Sequence, residues 1–166
     1  KIIIATSKFG NPVSDYYKYL GMSFIEKGYQ VIFIFDNSNF GYKEDELFSY
    51  YSWPSKRPTN LKDFLFLCIL IKKLKPKTCI SNFGSTNVVT IVSYILGVDN
   101  IINYVHTTTK QLKIDNKRNF VITYLLQLRK KITYSLMTFF LTNSEGNKKD
   151  FIENYHIKES KVFVFP

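Results

Sequence analysis

Short apolar runs and longer helical patterns alternate along almost the whole chain, and this alternation restricts the fold more than any other feature. Runs rich in β-branched and aromatic residues occupy positions 2–6, 30–35, 78–82, 101–105, 139–142 and 162–165. Helical periodicity occupies positions 13–27, 61–75, 86–96, about 119–137 and 145–154. Continuous apolar runs are typical of strands buried on both faces, as in a parallel sheet covered by helices. The sequence therefore predicts an α/β, Rossmann-like fold, with a doubly wound, mainly parallel sheet of about six to seven strands and helices on both faces.

Residues at the ends of these patterns support the same division. Gly28 follows the first helical stretch as a C-cap, Pro76 ends the second and Gly97 the third, and Ser144 is placed to cap the last. Positions 37–60 fit less well, because they are too long and too polar for a plain connection. We interpret them as a surface excursion that holds one short edge strand near 47–51.

Composition indicates one soluble-type globular domain. The chain has 166 residues, of which 45% are apolar and 22% charged, so neither a disordered nor a fibrous class fits. The longest apolar run, positions 64–71, is too short to cross a bilayer. Apolar residues follow Lys1 at once, which favours an intracellular location. Cys68 and Cys79 have no ligand-spaced partners, so we expect two inert thiols rather than a disulfide or a zinc site.

The chain carries a formal net charge of +10, which favours a polyanionic partner. Nucleic acid, an anionic membrane surface and phosphate-bearing substrates all satisfy this requirement. The sequence contains no helix-turn-helix, RNP-like or C₂H₂ pattern, so specific nucleic-acid binding is the weaker hypothesis.

Ligands of open α/β sheets bind beyond the carboxyl ends of the strands, so function should be sought in the loops that follow the runs. These loops begin at Ser7, Asp36, Asn82, His106 and Asn143. The first loop contains a single glycine, Gly10, and no G-x-G-x-x-G pattern, which argues against a dinucleotide-binding domain.

Several of these segments resemble the N-terminal domain of GT-B glycosyltransferases of the group 1, family 4-like type. The similarity rests on the helix-turn-strand pattern at 20–35, on Lys75-Pro76 before the third run, on Leu96-Gly97-Val98, on the strand ending at His106, and on 141–155 with 162–166. Lys77 and Asp99 depart from the family's usual Asp and Pro, and the first loop has one glycine where many relatives have two.

The resemblance implies that residues 1–166 form the acceptor-side half of a two-domain enzyme whose C-terminal, donor-binding half is absent from this sequence. The parent would transfer sugar from a UDP- or GDP-linked donor to a glycan or lipid-linked acceptor of the capsule or lipopolysaccharide type in bacteria. This half alone would be inactive. It would need no cofactor, and the nucleotide-sugar donor would bind mainly the other half.

The resemblance also implies site residues. His106 would border the reaction centre, and Gly10, Asn11, Gly84, Ser85, Thr107 and Ser144 would bind substrate. An imidazole there could donate to a sugar hydroxyl or neutralise the departing diphosphate. Each residue also has an ordinary interpretation: His106 as a strand-end side chain bonded to backbone, Gly10 as a turn glycine, and the hydroxyl residues as caps. We expect no metal, because the sequence has no Asp-x-Asp motif.

A basic, partly apolar segment spans positions 110–131. It contains Lys110, Lys113, Lys117, Arg118, Arg129, Lys130 and Lys131. Such a segment is typical of helices that lie on anionic membranes, but a solvated face of an ordinary core helix has the same composition. The first alternative predicts a cytoplasmic protein held peripherally at the membrane.

Two other functions remain open. The chain could be a stand-alone Rossmann-like binding module, including one half of a split transferase. It could also bind polyanions or nucleic acid, in which case its affinity should fall steeply with salt.

Overall fold

The computed structural model describes residues 1–6, 12–36, 42–44, 47–56, 58–106 and 120–165. These residues group into two compact units, Lys1–Ile101 and Ile102–Pro166. The boundary falls within one strand, and each unit is an α/β arrangement by itself.

The described residues contain eight strands. In chain order they are β1 (Ile2–Thr6), β2 (Val31–Phe35), β3 (Tyr42–Glu44), β4 (Ser49–Ser52), β5 (Thr78–Ser81), β6 (Asn100–Val105), β7 (Phe139–Thr142) and β8 (Val162–Val164). All six predicted strands are present with nearly the predicted bounds. The other two strands, β3 and β4, lie in the 37–60 excursion, where one short strand was expected.

Five α-helices occur in the described part of the chain. They are α1 (Pro12–Glu26), α2 (Leu61–Leu74), α3 (Thr86–Ile95), α4 (Phe120–Ser135) and α5 (Glu145–Tyr155). Each confirms a helix predicted from the apolar periodicity. The order of strands and helices is therefore the βαβ order of a Rossmann-like fold.

Local chemistry fixes where several helices begin and end. The Asp63 Oδ2 atom accepts a 2.9 Å hydrogen bond from Asn60 N at the start of α2. Ser144 Oγ accepts one of 3.2 Å from Asn147 N at the start of α5, as predicted for a cap. Gly28 and Gly97 have φ of 81° and 67°, the left-handed conformation that ends a helix at glycine.

The first unit is built on a sheet in the order β3-β4-β2-β1-β5. β1 pairs in parallel with β2 and β5, β2 pairs in parallel with β4, and only β3 runs antiparallel, against β4. The strand expected near 47–51 is therefore β4, but β3 lies outside it as the edge. Sequence periodicity misses β3 because the strand has only three residues and two of them are polar.

Helices cover both faces of this sheet. On one face α2 and α3 pack on a cluster that includes Ile3, Ile34, Cys79, Leu67 and Val89. Every residue of β1 and β2 is buried, which explains why their sequences are continuous apolar runs. Cys79 lies in this core and Cys68 is partly buried, and both are free thiols.

On the other face, α1 approaches β2 closely at Gly21. A Cβ added to Gly21 would lie 2.9 Å from Phe33 Cζ and 3.0 Å from Phe48 Cε1. Phe33 is itself held by Phe35, whose ring centroid lies 5.5 Å away, and by Tyr50 at 6.0 Å. The ring therefore has little freedom to move aside.

The second unit contains the parallel strands β6, β7 and β8, with β7 in the middle. Tyr134 on α4 and Phe151 on α5 both pack on Phe140 of β7, with ring centroids 5.6 Å and 4.9 Å away. Tyr155 completes this aromatic cluster, 4.9 Å from Tyr134. Both helices are thus anchored to the same strand.

The close approach at Gly21 makes a stability prediction. Gly21→Ala should lower the free energy of unfolding by about 1–2 kcal/mol, because overpacking outweighs the gain of up to about 1 kcal/mol in helix propensity. Urea denaturation measures the change. The matched control is Gly146→Ala in α5, where the added Cβ meets nothing closer than 4.0 Å and stability should not fall. Equal effects of the two substitutions would contradict the close packing at Gly21.

Candidate functional site

Four strands of the first unit end at one edge of their sheet. The register aligns Thr6 with Phe35, Phe35 with Ser52, and Ala5 with Ser81. The residues that follow β2, β4 and β5 are Asp36, Trp53 and Asn82, so these three polar side chains belong to the same carboxyl edge. Ligands of open α/β sheets bind at such an edge.

The turn after β5 is held by side-chain hydrogen bonds. Asn82 Nδ2 donates to Thr6 Oγ1 over 3.1 Å, which joins the ends of β5 and β1. The Ser85 hydroxyl is buried and donates to Asn82 O over 2.8 Å. Gly84 is exposed, and among the described residues an added Cβ there would contact only Pro58 Cδ, at 4.0 Å. The local packing therefore uses Ser85 as a turn-closing residue and does not require glycine at position 84.

Phe83 is the unusual residue of this turn. Its φ is 48°, although a bulky side chain disfavours the left-handed region, and half of its surface is exposed. Such conformations persist only where the surrounding structure imposes them, and they are concentrated at functional sites. The strain at Phe83 therefore marks the turn after β5 as a candidate binding loop.

Two carboxyl groups lie near each other beside β2. Asp63 is fully buried, and its Oδ1 and Oδ2 atoms accept hydrogen bonds from Ser55 N (3.1 Å) and Asn60 N (2.9 Å). Burial, and secondly the charge of Asp63, raise the pKa of Asp36 to about 6. Asp36 thus titrates close to neutrality at the carboxyl edge.

In the second unit, His106 follows β6 and is half-buried. Its ring stacks on Tyr104, with centroids 4.3 Å apart and an interplanar angle of 21°. The Tyr104 hydroxyl donates a hydrogen bond to Phe165 O, and Phe165 N donates to Thr142 O over 2.7 Å. Through its stacking on Tyr104, the imidazole is thereby linked to the end of β7 at Thr142 and to Phe165, which follows β8.

Burial lowers the pKa of His106. Taking the imidazole out of water disfavours its charged form, so the side chain is neutral at physiological pH. A neutral imidazole donates from one ring nitrogen and accepts at the other. Of the two uses that the sequence suggested, the pKa favours donation to a hydroxyl over neutralisation of a diphosphate.

The remaining predicted site residues divide into two groups. Gly84 and Ser85 lie together after β5, and Ser144 lies after β7 with its hydroxyl engaged in capping α5. The others lie outside the described residues: Gly10, Asn11, Thr107, Lys110, Lys113, Lys117 and Arg118. Asp36, Trp53 and Tyr104 were not selected from the sequence. Asp36 opens one of the edge loops, but nothing in the sequence shows that its carboxyl is buried or that Asp63 lies beside it.

Arg129 and Lys131 of the basic segment are exposed on α4. Lys130 is instead partly buried, and its Nζ lies 5.9 Å from the centroid of the Tyr155 ring. Burial, followed by the charge of Arg129, lowers the pKa of Lys130. The described part of α4 thus presents two of its three cations to solvent.

Neither a membrane span nor a metal cluster is found in the described residues. No helix among them is both long and apolar enough to cross a bilayer. In the same residues, no three His, Cys, Asp or Glu side chains gather in a way that could hold a metal ion.

The strand order, the helices on both faces of the first unit and the polar carboxyl edges define a Rossmann-like α/β fold of the kind found in GT-B glycosyltransferases. Solved structures agree with this class. WaaG, a glycosyltransferase involved in lipopolysaccharide biosynthesis, matches with a TM-score of 0.63 and 11% identity, over 100% of this chain and 45% of its own. The UDP-N-acetylglucosamine 2-epimerase from Rickettsia bellii matches with a TM-score of 0.60 and 12% identity, over 98% and 44% of the two chains.

A third structure, Anabaena HepE in complex with UDP and glucose, matches with a TM-score of 0.50 and 12% identity, over 98% of this chain and 43% of its own. No family model and no curated protein matches the sequence. At these identities the likeness shows the fold, and the predicted GT-B-type fold is confirmed. The chain spans less than half the length of the solved structures that it matches.

The raised pKa of Asp36 predicts a pH-dependent stability. Between about pH 4 and pH 6 the folded state holds the proton more tightly than the unfolded state, so stability falls as pH rises through this window. Asp36→Asn removes the free-energy cost of ionising this partly buried carboxyl group. The free energy of unfolding of the variant should exceed that of wild type by about 1–2 kcal/mol at about pH 7.5, and the two should be equal at about pH 4.

Urea denaturation at the two pH values tests this expectation. Asp99→Asn is the control, since Asp99 is exposed and precedes β6 at the other end of the strands. It should change stability by less than about 0.5 kcal/mol at either pH. A gain from Asp36→Asn that is the same at both pH values would show that the carboxyl charge is not its cause.

Proposed function

We propose that this chain is the acceptor-side half of a two-domain GT-B glycosyltransferase. The observation that carries the proposal is the match of the whole chain to less than half of a lipopolysaccharide glycosyltransferase. The parent enzyme transfers a sugar from a UDP- or GDP-linked donor to a glycan or lipid-linked acceptor. The donor nucleotide binds mainly the other half, and residues 1–166 alone do not catalyse transfer.

His106 is the residue that we place at the reaction centre. Its position after β6, its stacking on Tyr104 and its lowered pKa support a neutral, oriented imidazole. Such a group donates a hydrogen bond to an oxygen of the bound sugar, or accepts one from the attacking hydroxyl, without the desolvation cost of a charge. From the resemblance, Gly10, Asn11, Gly84, Ser85, Thr107 and Ser144 are proposed as substrate-binding residues, because the sequence places each in a loop that follows a strand.

We also propose that the reaction needs no metal ion, as the resemblance implies; residues 1–166 contain no Asp-x-Asp motif of the metal-dependent transferases. Chelation with EDTA should then leave transfer unchanged. Loss of transfer on chelation, with recovery on adding Mg²⁺ or Mn²⁺, would contradict this part of the proposal.

A second candidate function is epimerisation of a nucleotide-sugar, since a UDP-N-acetylglucosamine 2-epimerase matches almost as well as WaaG. Product analysis distinguishes the two. A transferase releases UDP or GDP and lengthens an acceptor, whereas an epimerase converts the nucleotide-sugar in the absence of any acceptor.

The role of His106 predicts the effect of replacing it. In the full-length protein, His106→Asn should lower kcat/KM for transfer by about 100-fold or more, the usual loss when one positioned hydrogen-bonding group is removed. Radiolabelled sugar incorporation into the acceptor measures the rate. His156→Asn is the matched control, because His156 is exposed and its left-handed φ of 55° suits asparagine. Full activity of His106→Asn would exclude the proposed role.

We also propose that α4 docks the enzyme on an anionic membrane, where lipid-linked acceptors lie. Leu125, Leu128 and Ile132 follow i, i+3, i+7 spacing and are 57%, 45% and 57% exposed. On the helical wheel, Arg129 lies on one side of this apolar strip and Lys131 on the other. Exposed apolar residues between cations are typical of interfacial helices, and the net charge of +10 is complementary to an anionic leaflet.

Vesicle sedimentation tests the docking. The protein should bind vesicles that contain phosphatidylglycerol and should not bind pure phosphatidylcholine. Each cation near the surface contributes about 1 kcal/mol, so Arg129→Glu with Lys131→Glu should weaken binding by about 30-fold or more. The control Lys149→Glu changes an exposed cation on α5 and should have a smaller effect. If Arg129→Glu alone and Lys149→Glu alone weaken vesicle binding equally, the binding reflects general electrostatic attraction and not docking through α4.

A further inference from the structure

Two buried polar atoms at the end of β2 and β4 lack a partner within the ranges that the structure describes. One is Oδ1 of Asp36, a hydrogen-bond acceptor, and the other is Nε1 of Trp53, a donor. Trp53 is only 4% exposed, and its ring packs against Phe66 with centroids 5.7 Å apart. Buried polar groups of native proteins are normally satisfied, so two such atoms on neighbouring residues need an explanation.

The strand register brings these two side chains together. Phe35 is aligned with Ser52, and Trp53 N donates to Phe35 O over 3.1 Å, so Asp36 and Trp53 are the next residues on adjacent strands. Adjacent strands lie about 4.8 Å apart, and side chains alternate between the faces of a sheet. The Asp36 side chain therefore lies on the same face of the sheet as that of Ile34.

Trp53 shares that face, since it belongs to the same apolar cluster as Ile34. Asp63, whose charge acts on Asp36, begins α2 on this face too. Asp36 and Trp53 thus occupy adjacent positions on one face, at the edge where an open α/β sheet binds its ligands.

The chemistry of the pair restricts the group that it can bind. An anion would be repelled by Asp36 and Asp63. A cation would meet the indole N–H, which can only donate. A hydroxyl group satisfies both atoms, because it donates its hydrogen to a carboxylate oxygen and accepts from the indole with its own oxygen. Asp63 does not supply the missing donor, because a carboxylate only accepts hydrogen bonds, and its two oxygens already accept from Ser55 N and Asn60 N.

We propose that Asp36 and Trp53 form a subsite for one hydroxyl group of a bound sugar. Asp36 accepts the hydroxyl's hydrogen bond and Trp53 Nε1–H donates to the hydroxyl oxygen. This inference rests on the proposed transferase function, which supplies the sugar, and it assigns two specificity-determining residues of the first unit. The cost of keeping a carboxylate at this position fits such a role, because local rules are broken most often at functional sites.

Trp53 provides its own reporter, since it is the single tryptophan of the 166 residues. The experiment is a titration of the ¹⁵N-labelled full-length protein with methyl glycosides of glucose, galactose, mannose and N-acetylglucosamine. Trp53→Phe identifies the indole N–H resonance by its loss. At least one glycoside should shift this resonance saturably in the wild-type protein, and Asp36→Asn should weaken that binding about tenfold, because a hydrogen bond to a charged group is the stronger kind.

Controls separate this subsite from general effects. Asp99→Asn makes the same change at the other end of the strands and should leave glycoside affinity unchanged. Asp36→Ser, which keeps a small polar side chain, replaces Asp36→Asn if that variant does not fold. The proposal is overturned if no glycoside shifts the indole resonance, or if Asp36→Asn binds as tightly as wild type. It is also overturned if Asp36→Asn moves the resonance while no glycoside does, which would indicate a structural contact or a bound water only.

The same variants separate this inference from the proposed function. If transfer occurs and Asp36→Asn leaves the acceptor and donor KM values unchanged, the subsite is wrong and the transferase assignment stands. If glycosides bind beside Trp53 but no transfer or nucleotide release is detected, the subsite stands and the transferase assignment is wrong.

Discussion

The parallel pairing of β1 with β2 is the interaction on which the first unit depends. All ten residues of these strands are buried, so both faces of the pair must be covered by helices. On one face, α2 and α3 cover the pair through the apolar cluster. On the other face, α1 covers it and approaches closely at Gly21. Because β1, β2, β4 and β5 are parallel, all four end at the same edge of the sheet. The polar edge loops are a consequence of this central pairing.

Much of this arrangement follows from the sequence. The sequences of β1 and β2 are continuously apolar, without polar alternation, and this predicts strands that are buried on both faces. Gly28, Gly97 and Ser144 mark helix ends through local backbone and capping chemistry, which does not depend on the rest of the fold. β3 could not be found in this way, because its three residues are defined by pairing with β4 and not by their own pattern.

The candidate site was less accessible from sequence, for a physical reason. His106 is placed by its position after a strand, which the pattern predicts. The raised pKa of Asp36 depends first on burial and second on Asp63, which lies 27 positions further along the chain and is brought near by the packing of α2. In the same way, the orientation of His106 depends on Tyr104 and on a carbonyl at Phe165, two contacts that no periodicity encodes. The pKa of Asp36 and the orientation of His106 thus arise from burial and hydrogen bonds between segments that are far apart in the sequence.

Asp36 and His106 share one physical cause with opposite signs. Burial raises the pKa of the Asp36 carboxyl to about 6 and lowers that of the His106 imidazole, so each environment makes the charged form of its group more costly. Edges of this kind suit a neutral, polyhydroxylated ligand better than a diphosphate, whose charge needs cations or a row of backbone N–H groups. The described polar residues at each carboxyl edge therefore agree with the acceptor-side role that we propose for this chain.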